Sequence, residues 1–230
     1  MAVRPVFVTT DKFPYYKTCD IDFKYFNGFS VSQKQKSIQS LHNAFLNKFP
    51  EEKILEISTK SEVELGCQLS AFNLTIENKK HDKFSVEMAF QASKVFENGG
   101  PYLDILNKNS RDAKRDERLR NSGKLIYFQY GTRRFELIPC TYFYNWLYIN
   151  TLSLHQNLCD KIIEYTAFTD IEFNPQKSIN CQAQAAAIFV SLKKSNMLEA
   201  ALRDRESFLK IVYGTEINST DYKQLTISDE

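Results

Sequence analysis

Residues 84–96, "FSVEMAFQASKVF", carry an almost unbroken apolar surface interrupted by one polar row. At about 100° per residue, Glu87, Gln91 and Lys94 fall on one side of a helix. Met88, Ala89, Ala92, Val95 and Phe96 cover most of the remainder. A surface helix has the opposite balance, a broad polar face and a narrower apolar stripe. The pattern therefore predicts one helix over 84–96, largely buried, with its polar row either paired at the surface or lining a cleft.

The same reading places the other elements. "GFSVSQKQKSIQSLHNAFLNKFP" predicts a helix opened by a capping box of Ser32 with Gln35. Ile38, Leu41 and Phe45 recur at helical spacing, and Phe49-Pro50 ends the run. "KILEIST" and "AFNLTIEN" predict short strands, and "KLIYFQYGTRRFELIP" a hairpin turning near Gly131-Thr132. Residues 141–165 and 180–213 predict helices, the last closed by Gly214, with a strand in "AFTDIEFNP" between them. The fold class expected is α+β: a mainly helical single domain with a few short strands and one hairpin. Residues 1–50 form an N-terminal extension and capping helix, 51–214 the central domain, and 215–230 a polar tail that frays.

Composition narrows the function classes. The chain has 230 residues, 43% hydrophobic and 25% charged, with a formal charge of +2. That balance is ordinary for a globular protein, and so small a charge leaves nucleic-acid binding to local patches. Only seven glycines occur, without G-x-G-x-x-G or G-x-x-x-x-G-K-[ST], which argues against a dinucleotide fold or a P-loop. Five scattered cysteines without C-x-x-C fit free thiols in a reducing compartment. The three histidines stand apart, so no zinc signature exists and no metal is expected. Without an apolar leader or an 18-residue apolar run, the expectation is a cytoplasmic protein with no membrane span.

Two stretches carry candidate chemistry. If Glu87, Gln91 and Lys94 line a cleft, a carboxylate withdrawn from water can serve as acid or base near neutral pH, and a flanking lysine can bind phosphate or tune it. Residues 108–124 hold seven Lys/Arg against three acids, a local excess of +4. That is either a solvated helix face or a phosphate-binding patch, in which Arg115 and Arg118 are the candidate contacts. Trp146, in "CTYFYNWLYINTL", reads as core.

These residues also resemble a family. "SVEMAFQASKVF" resembles the T-V-E-H-x-F-Q-A-x-K-F signature of the NADAR (YbiA-like) N-glycosidase superfamily. "LGCQLSAFNL" is similar to its Y-G-x-L-S-N-F-Y segment, "RDAKRDERLR" to its A-x-x-x-G-R region, and "SINCQAQAAAIFVSL" to its G-x-N helix start. The order of these segments over about residues 20–195 resembles the branch that accompanies DarT-type DNA ADP-ribosyltransferase toxins. Met88 stands where the family has His, Ala71 where it has Asn, and the Asp-x-x-Trp-Gly element of bacterial relatives is missing after residue 165.

The resemblance implies an ADP-ribosylglycohydrolase that removes ADP-ribose from guanine bases of DNA and so acts as an antitoxin. Its partners would be ADP-ribosylated DNA and, functionally, the toxin; ADP-ribose is the product, and no cofactor is implied. Lys60 matches the family's lysine ahead of the L-S-N-F element and would form a Schiff base with the ribose, with Lys94 the alternative amine; Glu87 would be the acid/base. Ser70, Phe72, Gln91, Lys94, Arg115, Arg118 and Asn180 would bind substrate. Two other readings stand beside this one: a non-catalytic antitoxin that binds the toxin or its modified DNA, and a glycosidase acting on a small metabolite.

Overall fold

The computed structural model describes residues 1–78 and 80–214; the expectation for the 215–230 tail lies outside them. The chain opens with strands β1 (Ala2–Val8) and β2 (Lys17–Phe23), paired antiparallel from Ala2↔Phe23 to Val8↔Lys17. Helix α1 (Val31–Leu46) lays Ile38, Leu41 and Phe45 against them. Burying each such side chain contributes about 1.5–3 kcal/mol. Its cap is Ser30, not Ser32: Ser30 Oγ accepts from Gln33 N and its carbonyl takes the Lys34 N–H. In S-V-S either serine can cap, and the extended backbone of Ser30 decides which does.

Strand β3 (Ile54–Glu56), helix α2 (Glu64–Gln68) and the hairpin β4 (Thr75–Glu77) with β5 (Lys83–Ser85) follow. Helix α3 (Val86–Ala92) is shorter than the pattern of 84–96 predicts. Ser93 Oγ bonds back to Ala89 O at 2.7 Å. Beyond it Lys94–Phe96 becomes strand β6, in register Lys94↔Phe128 with β7 (Leu125–Tyr130). The tertiary pairing of a β-forming Val-Phe run overrides helical periodicity here. Lys94 therefore leaves the helix, although its amine still lies over the Phe90 ring, 5.0 Å from the centroid.

A 3₁₀ turn (Leu103–Asn107) and the short helices α4 (Ser110–Lys114) and α5 (Arg118–Asn121) lead to β7, which turns at Gly131-Thr132 into β8 (Arg133–Phe135) as expected. The 141–165 run is two helices, α6 (Tyr142–Ser153) and α7 (Gln156–Ile162). They part at Leu154-His155, where the His155 ring bonds Thr75 O at 2.7 Å. Strand β9 (Ala167–Thr169) lies between β1 and β3, parallel to β3, giving a sheet of order β2-β1-β9-β3.

Helices α8 (Gln182–Lys194), α9 (Leu198–Leu202) and α10 (Arg205–Phe208) and a π turn (Leu209–Tyr213) complete the described chain, closed by left-handed Gly214. α6 and α8 are buried nearly all round and pack on each other beneath the sheet. Trp146 is core, edge-on to Tyr130 and tilted against Phe135. The result is one α+β domain in which the strands of residues 2–23 and those of the central region share a sheet. Among the described residues no helix is long and apolar enough to cross a membrane.

Candidate functional site

The turn "LSAF" and the start of α3 hold each other. Ser70 is buried, its carbonyl accepting from Asn73 N and Leu74 N and its Oγ from Phe72 N. Ala71 O accepts the Glu87 N–H at 2.9 Å, and Leu74 O accepts that of Val86. The Ala71 N–H donates in turn to Gln182 Oε1 at 2.7 Å, while Gln182 Nε2 donates to Ile57 O. One glutamine side chain thus ties the LSAF turn to the exit of β3. Met88, where the signature has His, closes the cap of α3: Ser85 Oγ accepts from Met88 N, and Met88 Sδ accepts the Ser85 N–H at 3.4 Å.

Glu87 is 5% exposed despite its carboxylate. Its Oε1 accepts from Gln91 Nε2 at 2.9 Å and stands 3.9 Å from Lys114 Nζ. The other end of Gln91 is unspent, since Oε1 is buried without a partner. Lys94 lies within electrostatic reach of both Glu87 and Lys114. Burial pushes its amine down to about 8, with Lys114 adding to the fall and Glu87 opposing it. Phe72 packs its ring 5.4 Å from Lys114 Nζ. The Tyr144 phenol, edge-on to Phe90, is pushed well up by burial and then by Glu87. Glu87, Gln91, Lys94, Lys114, Phe72 and Tyr144 therefore form one constellation. A carboxylate, an unfilled amide acceptor and a partly neutral amine meet there against aromatic rings.

The sequence pattern gives Tyr144 no role and Lys114 only a share in the basic stretch 108–124. Its neighbour Ala113, fully buried, turns α4 against α3. Also unanticipated is a second acidic pair. Glu56, at the end of β3, accepts from Thr169 Oγ1 (2.6 Å) and Ile171 N (2.8 Å). Burial pushes its carboxyl and that of Asp170 up; the Glu56 charge raises Asp170 further, and Glu172 raises both.

Lys60 stands in the turn after β3, half-buried, its N–H on Ser58 Oγ and its amine close enough to Cys67 to oppose the rise of that thiol. Among the described residues no hydrogen bond or ion pair joins Lys60 to Glu87. Asn180, ahead of α8, keeps Oδ1 buried and unpaired. The two arginines part company. Arg118 is committed within the fold, bonded to both Asp104 and Asp116 and lying 4.4 Å over the Tyr102 ring. It holds the Asp116 carboxyl far below the usual range, with help from Lys108. Arg115 is exposed, at the rim of an open hollow of about 460 Å³ shared with Lys108 and Asp112. Among the described residues no group of three or more His, Cys, Asp or Glu side chains is placed to hold a metal.

No curated protein matches the chain. Residues 2–222, nearly its whole length, match the family described as the DarT1-associated NADAR antitoxin. The match embraces both the LSAF turn and the α3 constellation, and the chain belongs to that family.

Proposed function

We propose that this antitoxin is an enzyme, a glycohydrolase that removes ADP-ribose from the exocyclic amine of guanine in DNA. The observation that carries the reading is the buried Glu87–Gln91 pair with the depressed Lys94 amine beside it. A family resemblance supplies the substrate; the geometry supplies a proton donor-acceptor shielded from water and an amine with a neutral fraction near pH 7.

The chemistry balances with one water consumed. Glu87 protonates the ribose ring oxygen as the ring opens, leaving an iminium between C1 and the guanine nitrogen. A neutral lysine amine adds to C1, and the C1–N bond to guanine breaks as the base leaves with a proton. The Glu87 carboxylate takes a proton from water, whose oxygen adds to C1. The lysine amine is then expelled and ADP-ribose is free. Gln91 Oε1 is available to a ribose hydroxyl, and Lys114 to a phosphate.

Its place just ahead of the LSAF turn, matching the family's lysine, supports Lys60 as the nucleophile. A second reading assigns the role to Lys94, favoured by its depressed amine and its nearness to Glu87.

The test is borohydride reduction during turnover on guanine-ADP-ribosylated oligonucleotide. An adduct on Lys60, found by peptide mass, establishes the first reading, and one on Lys94 the second. Glu87→Gln should slow release by about 10²–10⁴. A purified protein that releases no ADP-ribose would leave the binding-only antitoxin standing. Unchanged turnover in Glu87→Gln would remove Glu87 from the mechanism.

A further inference from the structure

Between Phe23 and Pro50 the chain carries Lys24, Lys34, Lys36 and Lys48 and not one Asp or Glu. The segment opens with "KYFNGF", aromatic and basic residues interleaved, and Phe29 at its tip is fully exposed. Gly28, at φ +130°, gives the backbone the turn that lifts Phe29 away from the body. Phe26 carries the Lys24 amine 5.0 Å over its ring, and Val31 adds exposed apolar surface. Lys24 and Lys36 are exposed. Asp20 and Asp22 precede the segment on β2, and Glu51 follows it.

Topology puts this loop at the same end of the sheet as the turn that carries Lys60. β3 and β9 run parallel, so their C-terminal ends lie at one edge of the sheet, where β3 leads to Lys60 and β9 to Asp170. β1 is antiparallel to β9 and β2 antiparallel to β1, so the C-terminal end of β2 emerges at that same edge. Side chains bind the two together. Lys34 Nζ bonds Tyr25 Oη (2.8 Å) and pairs with Glu172 (3.3 Å), two residues beyond Asp170. Gln39 Nε2 donates to both oxygens of Glu62, two residues beyond Lys60.

We propose that residues 24–31 and the first turns of α1 form a stacking platform for the unmodified bases of single-stranded DNA flanking the modified guanine. The inference rests on the substrate proposed above. Chemistry at the exocyclic amine needs the modified guanine out of the base stack, and in a single strand its neighbours present open faces. The exposed Phe29 ring, with exposed Lys24 and Lys36 on the same segment, suits such a strand: a ring stacks on any base and lysines follow the phosphates.

The probe is an unmodified, fluorescein-labelled single-stranded oligonucleotide, read by anisotropy. Phe29 touches no core residue, so Phe29→Ala keeps the fold. It should raise Kd about tenfold, and Lys36→Ala should lower the slope of log K against log salt by about 0.7. On ADP-ribosylated oligonucleotide, Phe29→Ala should raise KM by a similar factor, with a several-fold smaller change on ADP-ribosylated guanosine.

Wild-type Kd in Phe29→Ala, or no binding of the oligonucleotide by the wild type, overturns the platform. So does a Phe29→Ala variant that binds DNA normally but loses a purified toxin partner. The binding arm needs no turnover. A protein that binds the strand through Phe29 yet releases no ADP-ribose refutes the enzymatic reading and leaves the platform intact.

Discussion

The ionisation of Lys94 gives the sharpest test of the constellation. Its amine is held at about 8 rather than the ordinary 10.5, chiefly by burial. At pH 7 that leaves about a tenth of the amine neutral, roughly 300-fold more than for an exposed lysine. The same shift makes stability depend on pH. The folded value lies below the unfolded one, so between pH 8 and 10.5 the unfolded chain binds the extra proton and stability rises with pH. Below pH 8 the buried charge costs up to about 3 kcal/mol, less whatever solvent at the side chain's open face returns. Lys94→Met should therefore be stabilising at pH 7 by up to that amount in urea titrations, and the gain should vanish at pH 10.5. Titration of the lysine ε-carbons by ¹³C NMR, with Lys94 assigned by its loss in Lys94→Arg, reads the value directly. Glu87 raises it and Lys114 lowers it. Glu87→Gln should thus push it further down and Lys114→Met let it climb. A wild-type value of 10 or above, or both variants moving it the same way, would refute the described site.

Three further outcomes follow from the surrounding structure. A Cβ on Gly66 would stand 2.0 Å from Glu56 O and 2.4 Å from Ser61 Oγ, so Gly66→Ala should cost about 3 kcal/mol in urea denaturation. Arg118→Met should cost about 1–2 kcal/mol, below the price of stripping a buried carboxylate because Lys108 still reaches Asp116; wild-type stability would mean that the Asp104–Arg118–Asp116 link is idle. Burial pushes His42, bonded to Thr169 Oγ1, down to about 4. The unfolded chain takes up that proton first, so stability should fall as pH drops from about 6.5 to 4 by up to roughly 3 kcal/mol, and His42→Gln should lack that part of the acid limb.

How much of this was legible in the sequence varies by element. The core faces of α1 and the β7–β8 hairpin were readable because spacing and turn residues agree with the tertiary outcome. The 84–96 stretch was readable in content but not in shape. Its polar row does converge, yet Lys94 arrives from a strand, because a partner 34 residues away at Phe128 claims the backbone of Lys94–Phe96. Strands β1 and β2 escaped notice: Pro5 and the charged alternation of Lys17–Phe23 weaken the signal, and their pairing is settled by β9, far along the chain. Tyr144, the Glu56–Asp170 pair and the place of Lys114 beside Glu87 were invisible for a related reason. Each gains its meaning from side chains on another element, and sequence spacing records only neighbours on its own.

The position of β9 also bears on how the protein comes into being. β9 joins β1 to β3, yet residues 167–169 follow β3 by more than a hundred positions and β1 by about 160. At roughly 5–20 residues per second of synthesis, the edge of β3 waits about 6–23 s and that of β1 about 8–32 s for their partner to be made. In that interval Val6, Val8 and Leu55 lack their cover, and the strand edges can pair with other chains. Closing so long a loop also slows folding after release. A chain so built has no complete sheet until β9 has been made, so a nascent chain stopped before residue 167 leaves the edges of β1 and β3 open.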